Sequence, residues 1–232
     1  MREIVVDTET TGLDPASGHR LVEIACVELL NFVPTGQKFH AYLDPQRSMP
    51  EEAFRIHGLS SEFLAGKPLF EDVRDDFLSF ILDSRLVIHN AEFDMKFINA
   101  ELRQAGSKPL AMERVFDTLA LARKKHPGAS NSLDALCARY RIDNSKRTKH
   151  GALLDAEILS EVYTELMGGR QTKMSLQAAA PIVKDSSVTI KPGRVTQVES
   201  YLMESEIHAH RVFTQTMGEK ALWANYFPDK PV

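Results

Sequence analysis

The 232-residue sequence predicts an α/β fold, a mixed sheet covered by helices and followed by a flexible C-terminal tail. Three observations carry that expectation. Apolar or alternating segments with strand character come first, and helical and strand periodicities then take turns along the chain. From residue 169 to 192 the composition shifts to Gln, Ser, Thr, Ala, Lys and Pro, and no apolar period persists.

The first three strands are expected at Glu3 to Thr8, Glu23 to Leu30 and Gln37 to Leu43, separated by Gly, Pro and Asn turns. After Pro68, apolar residues recur with helical spacing at Phe70, Val73, Phe77, Phe80 and Ile81. A short apolar strand follows at Arg85 to His89. The next helix runs through Phe93, Phe97, Ile98 and Leu102 and stops at Gly106, and a strand is expected at Val115 to Asp117. Leu119 to Lys125 reads as helix because Pro127 ends it, Ser132 to Tyr140 as helix with Asn131 as its capping candidate, and Ala152 to Met167 as helix closed by Gly168-Gly169. Weak helical patterning returns through Val198, Leu202, Ile207 and Phe213. The expected organisation is a domain over 1–168, a tether over 169–192 and a C-terminal segment over 193–232.

Hydrophobic residues make up 43% and charged residues 26%, which excludes wholesale disorder. A net charge of −4 argues against a broad basic surface gripping nucleic acid, although metal ions in a site can still bind a few phosphates. No export signal opens the chain and no apolar run is long enough for a bilayer. Cys26 and Cys137 sit within apolar patterns and suit a reducing compartment, so a cytoplasmic location without membrane contact is expected.

Three acidic elements carry the chemistry. In Ile4-Val5-Val6-Asp7-Thr8-Glu9, strand alternation points Asp7 and Glu9 to one face. Adjacent carboxylates there need a compensating cation or raised pKa values; a lone Asp-x-Glu is more often a solvated strand end. In His89-Asn90-Ala91-Glu92-Phe93-Asp94 the acids follow a strand and open a helix, where the macrodipole alone would favour them. In His150-Gly151-Ala152-Leu153-Leu154-Asp155, the His and the Asp stand about 140° apart at roughly 100° per residue, so His150 reaches in from the preceding loop. A mobile imidazole beside a fixed carboxylate suits a general base, and a surface loop histidine is the plainer reading. Together the elements offer four carboxylates and one histidine at places where strand ends and helix starts can converge.

At these residues the chain resembles the DEDD exonucleases with a catalytic histidine, and among them the proofreading subunits of bacterial replicative polymerases. The matching stretches are Asp7-Thr8-Glu9-Thr10-Thr11-Gly12, Glu52-Ala53-Phe54 with His57-Gly58, His89-Asn90-x-x-Phe93-Asp94, Asn131-Ser132-Leu133-Asp134 and His150-Gly151-Ala152-Leu153-Leu154-Asp155-Ala156. The similarity spans residues 2–169 and thins beyond them. It implies a ribonuclease H-like five-stranded sheet, with Asp7, Glu9, Asp94 and Asp155 binding two Mg²⁺ or Mn²⁺ ions and His150 as general base. It further implies that Asp7, Glu9, Glu52, His57 and Asp155 meet the terminal nucleotide of a DNA 3′ end, single-stranded or frayed, which leaves as a nucleoside monophosphate.

The same resemblance extends to partners. Gln171, Met174 and Leu176, within Gln171-Thr172-Lys173-Met174-Ser175-Leu176, resemble a short peptide for the sliding clamp, with a plain linker as the alternative. Leu222 and Trp223, near Tyr226 and Phe227, resemble the segment that docks on the polymerase alpha subunit, against a helix folded back on the domain. A small third core subunit is a further expected partner. Two alternatives stand beside this reading: an RNA-trimming exoribonuclease of the same family, and a non-catalytic structural subunit that would be expected to lack an acidic ligand.

Overall fold

The computed structural model describes residues 1–145, 147, 149–169 and 203–217. The chain divides into two units, Met1–Ser175 and Leu176–Val232, each considered by itself. The first opens with a meander of β1 (Arg2–Thr10), β2 (Leu21–Leu30) and β3 (Val33–Tyr42). All three expected strands are present, and the second and third begin earlier than the apolar pattern alone indicates. Asn31 and Phe32, both at positive φ, form the two-residue turn that pairs Leu30 with Val33. A phenylalanine in that conformation is strained. Its ring packs 5.7 Å from that of Tyr163 and its carbonyl accepts from Thr164 Oγ1 at 3.1 Å, contacts that offset the cost.

There follow α1 (Glu51–His57), α2 (Ser61–Leu64), α3 (Phe70–Ile81), β4 (Arg85–Ile88), α4 (Ala91–Gln104), β5 (Val115–Asp117), α5 (Thr118–Lys125), α6 (Leu133–Tyr140) and α7 (Ala152–Leu166). The cap of α6 corrects the expectation. Ser132, not Asn131, accepts from the Ala135 amide, while the Asn131 amide nitrogen donates back to the carbonyls of His126 and Ala129. In the second unit, α8 (Glu204–Thr216) contains Ile207 and Phe213 of the expected pattern, whereas Val198 and Leu202 lie outside the described residues. So does nearly all of the expected 169–192 tether. Among the described residues no helix is long and apolar enough to cross a membrane.

The sheet order is β3-β2-β1-β4-β5, with β1 antiparallel to β2 and parallel to β4. Alternation along β1 builds two cores. Ile4 and Val6 join Ile24, Cys26, Leu86 and Ile88 beneath α3 and α4. Val5, Ala25, Val27 and Val87 pack against Ala152, Ala156, Leu159 and Tyr163 of α7 on the other face, and α5 and α6 close over Ile158, Val162 and Leu166. Burial on both faces explains why β1 reads as a continuous apolar run before its acids. The fully buried Glu3 carboxylate accepts from Tyr163 Oη at 2.9 Å, which ties the start of β1 to the far half of α7.

Candidate active site

β1 and β4 pair only as far as Val5 and Val87, and the chain leaves the two strands in opposite directions across the sheet. In an open α/β sheet this switch point leaves a crevice at the carboxyl ends of the strands. Asp7 and Glu9 stand there on the face that carries α7. A register irregularity between Glu9 and Thr10 interrupts the regular pairing with β2 just past the two acids. Gly12 closes the turn under His19, because a Cβ at this position would lie 2.3 Å from the imidazole Cε1.

Asp94 arrives from the opposite face. Asn90, at φ 66°, donates its amide to Asp117 Oδ1 and reverses the chain from β4 into α4, so the first turn of that helix lies beside the strand ends. Thr8 points to this face and its hydroxyl donates to Asp94 Oδ1 at 2.7 Å. Asp155 lies on the first turn of α7, whose opening amide at Ala152 donates to the buried Glu23 carboxylate at 3.1 Å. His150 precedes the helix, as its angular offset requires, and its amide donates to the Ile56 carbonyl at 3.2 Å.

Asp7, Glu9, Asp94, His150 and Asp155 therefore line one cavity of about 780 Å³, together with Glu52 and His57. Glu52 is exposed at the rim. His57 is buried and accepts from the Leu59 amide through Nδ1, so its Nε2 carries the proton and has no partner among the described residues. Apolar side chains of Leu13, Ile56 and Phe93 form part of the same wall.

The electrostatics are those of negative charge that the Arg147 guanidinium offsets only in part. Burial first, then Asp155, Glu23 and Asp94, push the Glu9 carboxyl up to about 8. Asp94 is pushed up to about 7 by burial, against the pull of the Thr8 hydrogen bond. Asp7 is raised well above the usual carboxylate range by burial and by Asp94, Glu9 and Asp155. Carboxylates crowded in this way take up protons or bind cations. Glu9, His150 and Asp155 each bring a ligand atom within 4.8 Å of the others, and an oxygen-rich set with one imidazole fits a hard divalent ion.

Residues 4–163 match the exonuclease family RNase_T. The chain is 48% identical to DNA polymerase III subunit epsilon of Rickettsia conorii over 218 residues, covering 92% of this chain and 95% of the relative. It is 44% identical to the subunit of that name from Escherichia coli K12 over 237 residues, covering 96% and 97%. The chain belongs to the DNA polymerase III epsilon family of exonucleases. Among solved structures, this epsilon-family chain is similar to exonuclease X in complex with 5′-overhanging duplex DNA, at 26% identity and a TM-score of 0.55 over 71% of this chain and 90% of that one. It shares its fold with the nuclease domain of a DEDDh 3′ exonuclease bound to rAMP, at 15% identity and a TM-score of 0.61 over 72% and 91%. The expected ribonuclease H-like sheet is thus the one present.

Three side chains that shape the cavity have roles that sequence pattern does not reveal. Thr8 orients Asp94, Glu23 holds the start of α7, and Arg147, only 8% exposed, donates to both Asp155 oxygens. Asp134, part of a matching stretch but given no role above, accepts from Arg147 at 2.7 Å. Gln171, Met174, Leu176, Leu222 and Trp223 lie outside the described residues.

Proposed function

We propose that this chain is a 3′ to 5′ exodeoxyribonuclease that removes mispaired 3′-terminal nucleotides as nucleoside monophosphates, as the proofreading subunit of a bacterial replicative polymerase in the cytoplasm. The observation that carries the reading is the meeting of four carboxylates and one loop imidazole in a single crevice at the β1 and β4 ends. Asp7, Glu9, Asp94 and Asp155 would hold two divalent ions, Mg²⁺ or Mn²⁺. Bound there, such ions supply Lewis-acid polarisation of the phosphoryl oxygen and a lowered water pKa.

The protein's own groups do the rest. His150, half-exposed on its loop, takes the proton of the attacking water, the water oxygen bonds to phosphorus, and the 3′ oxygen of the penultimate nucleotide leaves. His57 and Glu52, which both line the cavity, would meet the terminal nucleotide. Leu13, Ile56 and Phe93 give its base an apolar seat. A frayed end enters this crevice more easily than a paired one, so selection for mismatches follows from the cost of melting.

The domain limits 1–168, 169–192 and 193–232 belong to the same proposal. Gln171, Met174 and Leu176 would engage the sliding clamp, Leu222 and Trp223 the polymerase alpha subunit, and a small third core subunit would bind as well. The deciding experiment is Mg²⁺-dependent nucleotide release from a mispaired DNA primer and from a matched RNA strand. Asp7→Ala should abolish release with its circular dichroism unchanged. A variant that degrades single strands at the wild-type rate refutes the assignment, and faster release from RNA favours an exoribonuclease.

A further inference from the structure

Arg147 sits where no simple nuclease site would place a cation. Its Nε and Nη2 donate to the two oxygens of Asp155, Nη2 at 2.8 Å, and Nη1 donates to Asp134 Oδ1 at 2.7 Å. Nη2 also lies 2.8 Å from His150 Nδ1, which in turn is 3.3 Å from Asp155 Oδ2. A guanidinium can only donate, so His150 Nδ1 accepts and the ring proton is on Nε2. One side chain thus engages both carboxylate oxygens and fixes the tautomer of the imidazole. In this arrangement Arg147 takes a lone pair on each Asp155 oxygen and sets a positive charge where a metal ion would approach them, and neither ring nitrogen of His150 is open to take a proton from water.

The two acids that share Arg147 differ in exposure. The Asp155 side chain is 3% exposed and that of Asp134 is 59% exposed, at the rim of the cavity. An arginine has enough rotatable bonds to leave the inner acid and keep the outer one. Its segment is held at the far end by the His150 amide on the Ile56 carbonyl and by Lys149 Nζ over the Phe54 ring at 4.9 Å. The withdrawal therefore needs no movement of α7.

We propose that Arg147 is a displaceable counter-cation, which occupies the Asp155 carboxylate and the His150 imidazole until divalent ions take the acidic cluster. The inference rests on the metal site of the proposed function and deepens it. Without ions the guanidinium neutralises buried charge and holds the base idle. When ions bind, it moves out to Asp134, and Asp155 and His150 become available together. Metal loading and activation of the base are then one event.

The test compares the full-length wild type with Arg147→Gln at fixed pH. Mn²⁺ affinity is measured by calorimetry, and thermal melting is followed in chelator. If the guanidinium occupies Asp155 nine-tenths of the time, its removal tightens apparent Mn²⁺ binding about tenfold. The same change lowers the melting temperature in chelator by at least about 5 °C, because buried carboxylates lose their partner. A variant that binds Mn²⁺ no more tightly than wild type overturns the proposal. A wild type that binds no Mn²⁺ sinks the metal-site reading itself, and the counter-cation role with it.

Should Arg147→Gln fail to fold, ¹⁵N chemical shifts of His150 in the wild type decide. The ring should be the Nε2–H tautomer in chelator and should lose that preference on saturation with Mg²⁺. An Nδ1–H ring in chelator, or a tautomer indifferent to Mg²⁺, overturns the proposal.

Discussion

Raising the pH from 7 to 8.5 in the presence of a chelator should destabilise the protein, and divalent metal should abolish the effect. Glu9 ordinarily titrates near 4.5 and in the folded chain near 8. Between about pH 4.5 and 8 the native state therefore binds a proton that the unfolded state has released, and stability falls as pH rises until the folded value is passed. From pH 7 to 8.5 this loss is on the order of 1 to 2 kcal/mol, most of it from Glu9 and the smaller part from Asp94, near 7. Asp7 acts in the same direction. His57 and His89, which burial holds below the usual histidine value, are mostly neutral in both states across this window and add only a small opposing contribution. At roughly 2–4 °C per kcal/mol for a chain of this size, the melting temperature should fall by about 3–6 °C. Thermal melts at the two pH values, with chelator and then with excess Mg²⁺, measure it. Glu9→Gln should remove most of the fall. A chelated wild type equally stable at both pH values, or a Glu9→Gln protein that keeps the full fall, refutes the reasoning.

Thr8→Val should raise the Asp94 pKa by about one unit, since a hydrogen bond to a charged group contributes about 1.5–3 kcal/mol, and so move the acid limb of the pH–rate profile to higher pH. An unmoved limb would contradict the role given to that hydroxyl. Glu23→Gln should cost about 1–3 kcal/mol by urea unfolding, because one buried carboxylate serves both His40 Nε2 and the first amide of α7. It should also lower kcat more than KM changes, since the start of α7 positions Asp155. Deleting residues after Gly193 should leave nucleotide release intact and prevent co-purification with the polymerase, while substituting Gln171 and Leu176 should weaken clamp binding. Retained co-purification or unchanged clamp affinity would remove the respective contact.

Much of this was readable from local pattern. The limits of α3 and β5 follow from periodicity and breakers, and Asp7 and Glu9 from strand alternation. The approach of His150 from a loop followed from counting degrees around a helix. What escaped depends on distant partners. Glu23 looks like one more residue of an alternating strand, and only its bond to an amide 129 positions away shows its purpose. Arg147 lies in a charged stretch between α6 and α7 that suggests a solvated loop, yet its guanidinium is buried. Asn131 and Ser132 are both good caps by type, and the choice between them was made by the turn that the Asn131 amide closes to His126 and Ala129. The short α2 has one buried residue, Leu64, too few to leave an apolar stripe.

The Glu3–Tyr163 bond fastens β1 to the far half of α7, while Glu23, on β2 and paired in register with Glu9 of β1, fastens the start of that helix. A beam bolted at one end directly and at the other through the neighbouring strand keeps its spacing when the surroundings flex, and Asp7 and Asp155 ride on β1 and α7. Loosening the remote bolt, as Tyr163→Phe would, ought to blunt the cutting edge at temperatures where the scaffold still stands.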